Sequence, residues 1–142
     1  MSEKIIIGLD PGVHTGVAVF RNGELYSLFT ISPLEIPGFI QGSVARRIVF
    51  EDSRLTSPVW GRGVNARSAA KIARNVGQVD AFCGLIVAAC ASAGISAHGI
   101  SPKGKGAKLN AEKFAAATGW AVRSNQHERD AAMCAWPYRS AA

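Results

Sequence analysis

The residues best able to do chemistry are a few acids in a chain that is otherwise basic, with 16 Lys and Arg against 10 Asp and Glu. Asp10 closes the apolar run KIIIGLD, and Glu51 and Asp52 close IVFED. Asp130 lies in HERDAAMCAW, with His127 three residues earlier on the same helical face. Taken singly, each has an ordinary explanation: an acid after a strand is usually a turn or capping residue, and a helical acid is usually at the surface. Taken as a set, they suggest catalysis. Carboxylates that converge repel one another unless a cation neutralises them. Magnesium takes oxygen ligands, commonly one or two carboxylates plus substrate phosphate. Two such ions about 4 Å apart can flank a phosphodiester, one activating water and the other stabilising the leaving oxygen.

The elements that must position these acids follow from periodicity. KIIIGLD is apolar on both faces, as a central buried strand requires. After the turn PGVHTG, the runs GVAVF and ELYSLF flank Asn22-Gly23, a strong hairpin signal. The chain therefore opens as a three-strand antiparallel meander. ARRIVFED reads as a fourth strand and ISAHGIS as a fifth. Residues 31–44 contain Pro33, Pro37, Gly38 and Gly42 and predict no stable helix, and residues 53–66 predict a loop. Ala69, Ile72, Val76, Val79, Cys83, Ile86 and Cys90 recur at helical spacing, so a helix is expected over 67–93, ended by Gly94. Gly77 within it is unfavourable by roughly 1 kcal/mol relative to Ala, which suggests a close contact or a kink. Asn110 reads as the N-cap of a helix through 117, and a last helix runs from Gln126 to Pro137. The order βββ, β, α, β, α, α predicts an α/β fold with a mixed five-stranded sheet flanked by helices. If the first and fourth strands are parallel neighbours, Asp10 and Glu51 share the sheet edge where open α/β sheets place their chemistry.

Length and composition bound the rest. The 142 residues predict one domain spanning the chain. A hydrophobic share of 48% against 18% charged residues excludes a mostly disordered chain. No apolar run reaches the roughly 18 residues of a membrane span, and the absence of a leader pattern predicts a cytoplasmic protein. Three cysteines with no CxxC pair argue against a disulfide framework or a zinc site. Charge is uneven: residues 1–52 carry four bases and six acids, whereas residues 53–142 carry twelve bases and four acids. That asymmetry points to a polyanionic partner. Arg67, Lys71 and Arg74 form a basic helical stripe that either meets nucleic acid or is simply solvated. The high alanine and glycine content points to close backbone packing.

In order along the chain, GLDPGVHTG, IVFED, NVGQVDAFCGLIVAA, ISPKGKGAK and HERDAAMCAW resemble the RuvC family of Holliday-junction resolvases, within the RNase H-like nuclease superfamily. The match touches most of the chain. The resemblance implies an RNase H-like fold and Asp10, Glu51 and Asp130 as metal-binding catalytic acids. It puts His127 where many members carry a fourth acid and some a histidine; as an imidazole it would ligate a metal or, protonated, help to expel product. Lys103, Lys105 and Lys108 match the basic loop near the scissile phosphate, with Lys108 favoured as catalytic. The implied cofactor is Mg2+, two ions, with Mn2+ as a substitute. The implied partners are a four-way DNA junction and a second copy of the chain, because two sites related by a dyad suit symmetric cuts. Asp52 faces the opposite side of a regular strand from Glu51 and is a reserve ligand. The chain departs from bacterial members in lacking a long helix between Asp10 and Glu51 and in having Leu55 near the place of a junction-stacking aromatic. Trp60 either supplies that stacking or is buried. These departures bring it near the compact phage-encoded members, some of which cut several branched DNAs.

The expected activity is therefore resolution of Holliday junctions and other branched DNA by direct water attack. The alternatives are a same-fold nuclease for structured RNA or an RNA–DNA hybrid, and a non-cleaving branched-DNA-binding module. An actin-like ATPase would need a duplicated domain that 142 residues cannot hold.

Overall fold

The computed structural model describes residues 3–56, 65–104 and 106–140. Trp60 and Lys105 lie outside the described residues. Five strands form one sheet: β1 (Ile5–Asp10), β2 (Thr15–Arg21), β3 (Glu24–Ile31), β4 (Arg47–Glu51) and β5 (Ser96–Ile100), in the spatial order β3-β2-β1-β4-β5. β1 and β2 pair antiparallel, as do β2 and β3, whereas β1–β4 and β4–β5 are parallel. This is the expected meander extended by parallel strands. The β2–β3 turn places Asn22 at φ 52° and Gly23 at φ 84°, the left-handed geometry that a tight hairpin demands of both central residues.

Among the described residues, four α-helices cover the sheet: α1 (Ile36–Gln41), α2 (Ala66–Ala93), α3 (Ala111–Thr118) and α4 (Gln126–Ala135). Side-chain alternation along the strands sorts the core into two layers. Ile7, Leu9, Ile48 and Phe50 pack with Ile36 and Ile40 of α1 and with Cys83, Ile86 and Cys90 of α2. Ile6, Ala18, Phe20 and Val49 pack on the other face with Phe114 of α3 and Ala131, Ala132 and Ala135 of α4.

Three expectations are corrected. Residues 31–44 do contain helix: Pro33 starts a 3-10 turn over Pro33–Glu35, and Pro37 falls in the first turn of α1. A proline there gives up an N–H that would have no intrahelical partner anyway, so it opens a short helix rather than preventing one. Among the described residues of one chain, Gly77 serves no close approach, since a Cβ built there would meet nothing within 4 Å. Finally, α2 is long and apolar enough to cross a membrane by length and composition, because an average over a window tolerates the interspersed charges that interrupt any unbroken run. Here α2 lies along the sheet and α1, with 22% of its most apolar window buried.

Candidate active site

The site is assembled by strand parity. In β1, Ile6 and Gly8 face α4, so Asp10 does too; in β4, Val49 faces α4, so Glu51 does too. The parallel register pairs Leu9 with Phe50, and one step further along, Asp10 and Glu51 end their strands side by side at the carboxyl edge.

α4 lies unusually close to this face. A Cβ at Gly16 would sit 1.9 Å from the His127 carbonyl oxygen, and one at Gly8 would sit 2.3 Å from that of Ala131. Two glycines thus let the helix backbone rest on β1 and β2, which brings His127 down to Asp10 and puts Asp130 on the helix that covers this face. The start of α4 is fixed as well. Asn125 and Glu128 form a reciprocal capping box, and the Thr30 hydroxyl at the end of β3 donates to Glu128 Oε2 at 2.9 Å while accepting from Asn125 Nδ2 at 2.9 Å.

Asp130 is 4% exposed. Its Oδ1 accepts from Gln126 Nε2 at 2.7 Å, and its Oδ2 lies 3.5 Å from the Lys108 ammonium. His127 Nδ1 is 3.7 Å from Asp10 Oδ2. Of the expected residues, then, Asp10 and Glu51 end neighbouring strands, His127 approaches Asp10, and Lys108 approaches Asp130. Lys103 is exposed on the 3-10 turn Pro102–Gly104 that leads from β5 into the Lys108 loop. Arg67, Lys71 and Arg74 are exposed on the first turns of α2, on the other side of the sheet. Asp52 belongs to that side too: it is 4% exposed and held by a two-pronged Arg54 guanidinium. Hydrogen bonding from the Arg54 side chain holds its carboxyl below the usual carboxylate range, against the opposing effect of burial. Arg54 already occupies both oxygens of the reserve ligand.

Sequence reasoning missed three contributors. Arg129 carries no chemistry itself but donates to the Leu109 carbonyl at 3.0 Å and the Ser124 carbonyl at 2.8 Å, tying the Lys108 loop to α4. His14 brings its ring to 5.8 Å from that of His127. Thr15, fully buried, closes the Asp10 turn by donating to the Gly12 carbonyl at 2.8 Å. Thr15 had a readable signal, as a hydroxyl residue closing a Pro-Gly turn, whereas His14 and Arg129 depend on contacts distant in the chain.

The family suggested by the sequence implies divalent metal at this edge. Among the described residues, no group of three or more His, Cys, Asp or Glu side chains is close enough together to hold an ion. The donors nevertheless suit magnesium, which favours hard oxygen ligands and retains several waters beside one or two carboxylates rather than needing a protein cage. Asp10, Glu51 and Asp130 are the side chains that would hold it. The Lys108 ammonium already sets a cation against one of these acids.

A mixed sheet in the order β3-β2-β1-β4-β5, with acids at the carboxyl ends of its central parallel strands, defines the class: this is the RNase H-like fold as RuvC has it. Among solved structures, the chain is similar to Thermus thermophilus RuvC in complex with Holliday junction substrate, with 17% identity, 94% of this chain and 90% of that chain covered, and a TM-score of 0.57. It is likewise similar to the Thermus thermophilus RuvC structure, with 16% identity, coverage of 93% and 91%, and a TM-score of 0.61. No family model and no curated protein matches the sequence.

Proposed function

We propose that this chain is a magnesium-dependent, structure-specific endodeoxyribonuclease that resolves four-way DNA junctions and cuts related branched DNA. The observation that carries this reading is that Asp10 and Glu51 end adjacent parallel strands on the face that α4 covers, where α4 sets His127 beside Asp10 and carries Asp130 beside Lys108. The solved neighbour bound to a Holliday junction supplies the substrate class.

The divalent ions, when bound, would neutralise the acids and the substrate phosphate and make water a competent nucleophile. The chain's own residues then divide the remaining work. Asp10, Glu51 and Asp130 supply oxygen ligands. Lys108, 71% exposed at its side chain, reaches out to a phosphate oxygen while still neighbouring Asp130. His127, half exposed beside Asp10, binds or delivers a proton as product leaves. No side chain needs to form a covalent bond to the substrate. Lys103, exposed on the same loop, adds a further contact to the backbone of the nucleic acid, and Lys105 adds to the loop's positive charge by sequence.

The chain acts as a homodimer through α2. Leu85 and Val87 are each 37% exposed, on either flank of buried Ile86, and only 22% of the helix's most apolar window is buried, which leaves apolar surface for a second copy to cover.

The test is incubation with a synthetic four-way junction, a flap, a linear duplex and an RNA–DNA hybrid, with and without magnesium. Paired symmetric cuts in the junction, dependent on magnesium, are expected. Cleavage of the hybrid alone would move the protein to RNA chemistry, and binding without cleavage would make it a branched-DNA-binding module.

A further inference from the structure

β4 ends in two consecutive acids, Glu51 and Asp52, and only one of them can face α4. Because side chains alternate across a strand, a slip of one residue would exchange them. The structure carries a set of contacts that decides which acid faces which way.

The Asp52 carboxylate accepts Arg54 Nε at 2.9 Å on one oxygen and Arg54 Nη2 at 2.9 Å on the other, and Oδ1 also accepts the Arg54 backbone N–H at 3.0 Å. It lies against Gly99 of β5, where a Cβ would come within 2.8 Å of Asp52 Oδ2. The Asp52 N–H donates to the Ile100 carbonyl at 2.8 Å, extending the sheet one residue past β4. The Glu51 carbonyl accepts from Cys83 Sγ of α2 at 3.6 Å, and the Ser53 hydroxyl donates to Asp80 Oδ1 of α2 at 2.6 Å. With the Asp52 carbonyl accepting the Leu55 N–H at 3.1 Å, the peptides on both sides of the Asp52 Cα are anchored, and so is its side chain.

We propose that Arg54 and Asp52 form a positioning clamp for Glu51. A charge-assisted fork is stronger than a neutral hydrogen bond and fixes direction as well as distance. By holding Asp52 on the α2 face, it commits Glu51 to the α4 face, beside Asp10. Gly99 completes the clamp by leaving room for the Asp52 carboxylate. Arg54 acts through Asp52 and the β4 backbone and touches no reacting atom. The kinetic part of this inference rests on the nuclease reading above; the structural part does not.

The test uses the full chain with Arg54→Met, Arg54→Lys and Gly99→Ala. Amide hydrogen exchange at Asp52 is read by NMR without metal or DNA, and junction cleavage is read separately with magnesium. For Arg54→Met, exchange at Asp52 should quicken about tenfold or more, as local opening becomes easier. Its kcat should fall about 10- to 100-fold, as for a reacting group misplaced by about 1 Å, with KM and metal-free junction affinity within about twofold of wild type. Arg54→Lys, which keeps the charge but not the fork, should recover part of both losses. Gly99→Ala, which disturbs Asp52 from the opposite side with Arg54 intact, should reproduce the Arg54→Met pattern. Unchanged exchange in Arg54→Met overturns the clamp whatever the enzyme does. A loss confined to KM or junction affinity also overturns it, because Arg54 would then be a DNA contact. If the wild type cuts nothing while exchange responds as expected, the nuclease reading fails and the clamp stands as an anchor of β4.

Discussion

The two faces of the sheet are built by different means. On the α4 face, glycine and alanine let a helix backbone settle onto β1 and β2, and polar side chains meet at the edge of that contact. On the α2 face, isoleucine, leucine and phenylalanine fill the space between sheet and helices, and charged groups include the Asp52–Arg54 fork and Asp80, which accepts from Ser53. Close backbone approach leaves little freedom to the residues it carries, which suits catalytic groups. Side-chain packing tolerates substitution and suits a surface that binds or supports. The faces should therefore respond differently to comparable changes.

The largest expected effect removes one charge from the α4 face. Asp10→Asn should abolish junction cleavage, a loss of about a thousandfold or more, while leaving junction binding intact or stronger, because an acid near phosphate is gone. Gel-shift and cleavage assays on the same preparation check this. Equal cleavage by the variant would remove Asp10 from the mechanism.

Next comes the close approach itself. Gly16→Ala puts a methyl 1.9 Å from the His127 carbonyl, and a backbone oxygen held by a capped helix cannot easily yield. A loss of about 3 kcal/mol is expected, read as a fall in Tm of about 10 °C. A variant as stable as wild type would mean that α4 does not rest on β2.

Much of this division was readable in the sequence. Asn22-Gly23 announced the hairpin, and the apolar runs ending in Asp10 and Glu51 announced two strands whose acids share an edge if the strands pair in parallel, as they do. Strand alternation alone put Asp52 on the other face. What could not be read were its consequences. Arg54 pairs with Asp52 only because the chain turns into a 3-10 helix after β4, and Gly99 matters only because β5 docks in one register. The sequence suggested a close contact or a kink at Gly77, but within one chain helix backbone comes close at Gly8 and Gly16 instead. A glycine in a strand under a crossing helix and a glycine in a helix look alike until the partner element is known.

The α2 face supplies a pH prediction. Burial pushes the Cys90 thiol up to about 11 and raises that of Cys83 as well. Below the unfolded thiol value, near 9, both states are neutral and this contribution is fully present. Above it, the unfolded chain ionises while folded Cys90 does not, so stability falls as pH rises from about 9 to about 11, by about 2–3 kcal/mol for that thiol. Urea unfolding of the wild type and Cys90→Ala at pH 7 and pH 10.5 isolates it: the gap between the two proteins should shrink at the higher pH. A constant gap would deny the thiol any part in the alkaline loss.

A smaller effect is expected from the outer surface of α2. Reversing Arg67, Lys71 and Arg74 to Glu should weaken junction binding about tenfold and flatten its salt dependence, since each phosphate contact contributes to counterion release. Wild-type affinity in this variant would assign the stripe to solvent and confine DNA to the lysine loop.

The smallest effect is the most direct contrast with Gly16. Gly77 is exposed in mid-α2, and a methyl there meets nothing within 4 Å. Gly77→Ala should therefore stabilise the protein by about 1 kcal/mol through helix propensity alone, raising Tm by about 3 °C. The same substitution also probes what covers α2. If Gly77 faces solvent in the assembled protein, self-association measured by sedimentation will be unchanged while Tm rises. If a second copy's helix approaches there, the methyl will weaken association although the protomer is more stable, and Gly77 would then serve a close contact between copies as Gly8 and Gly16 do within one chain.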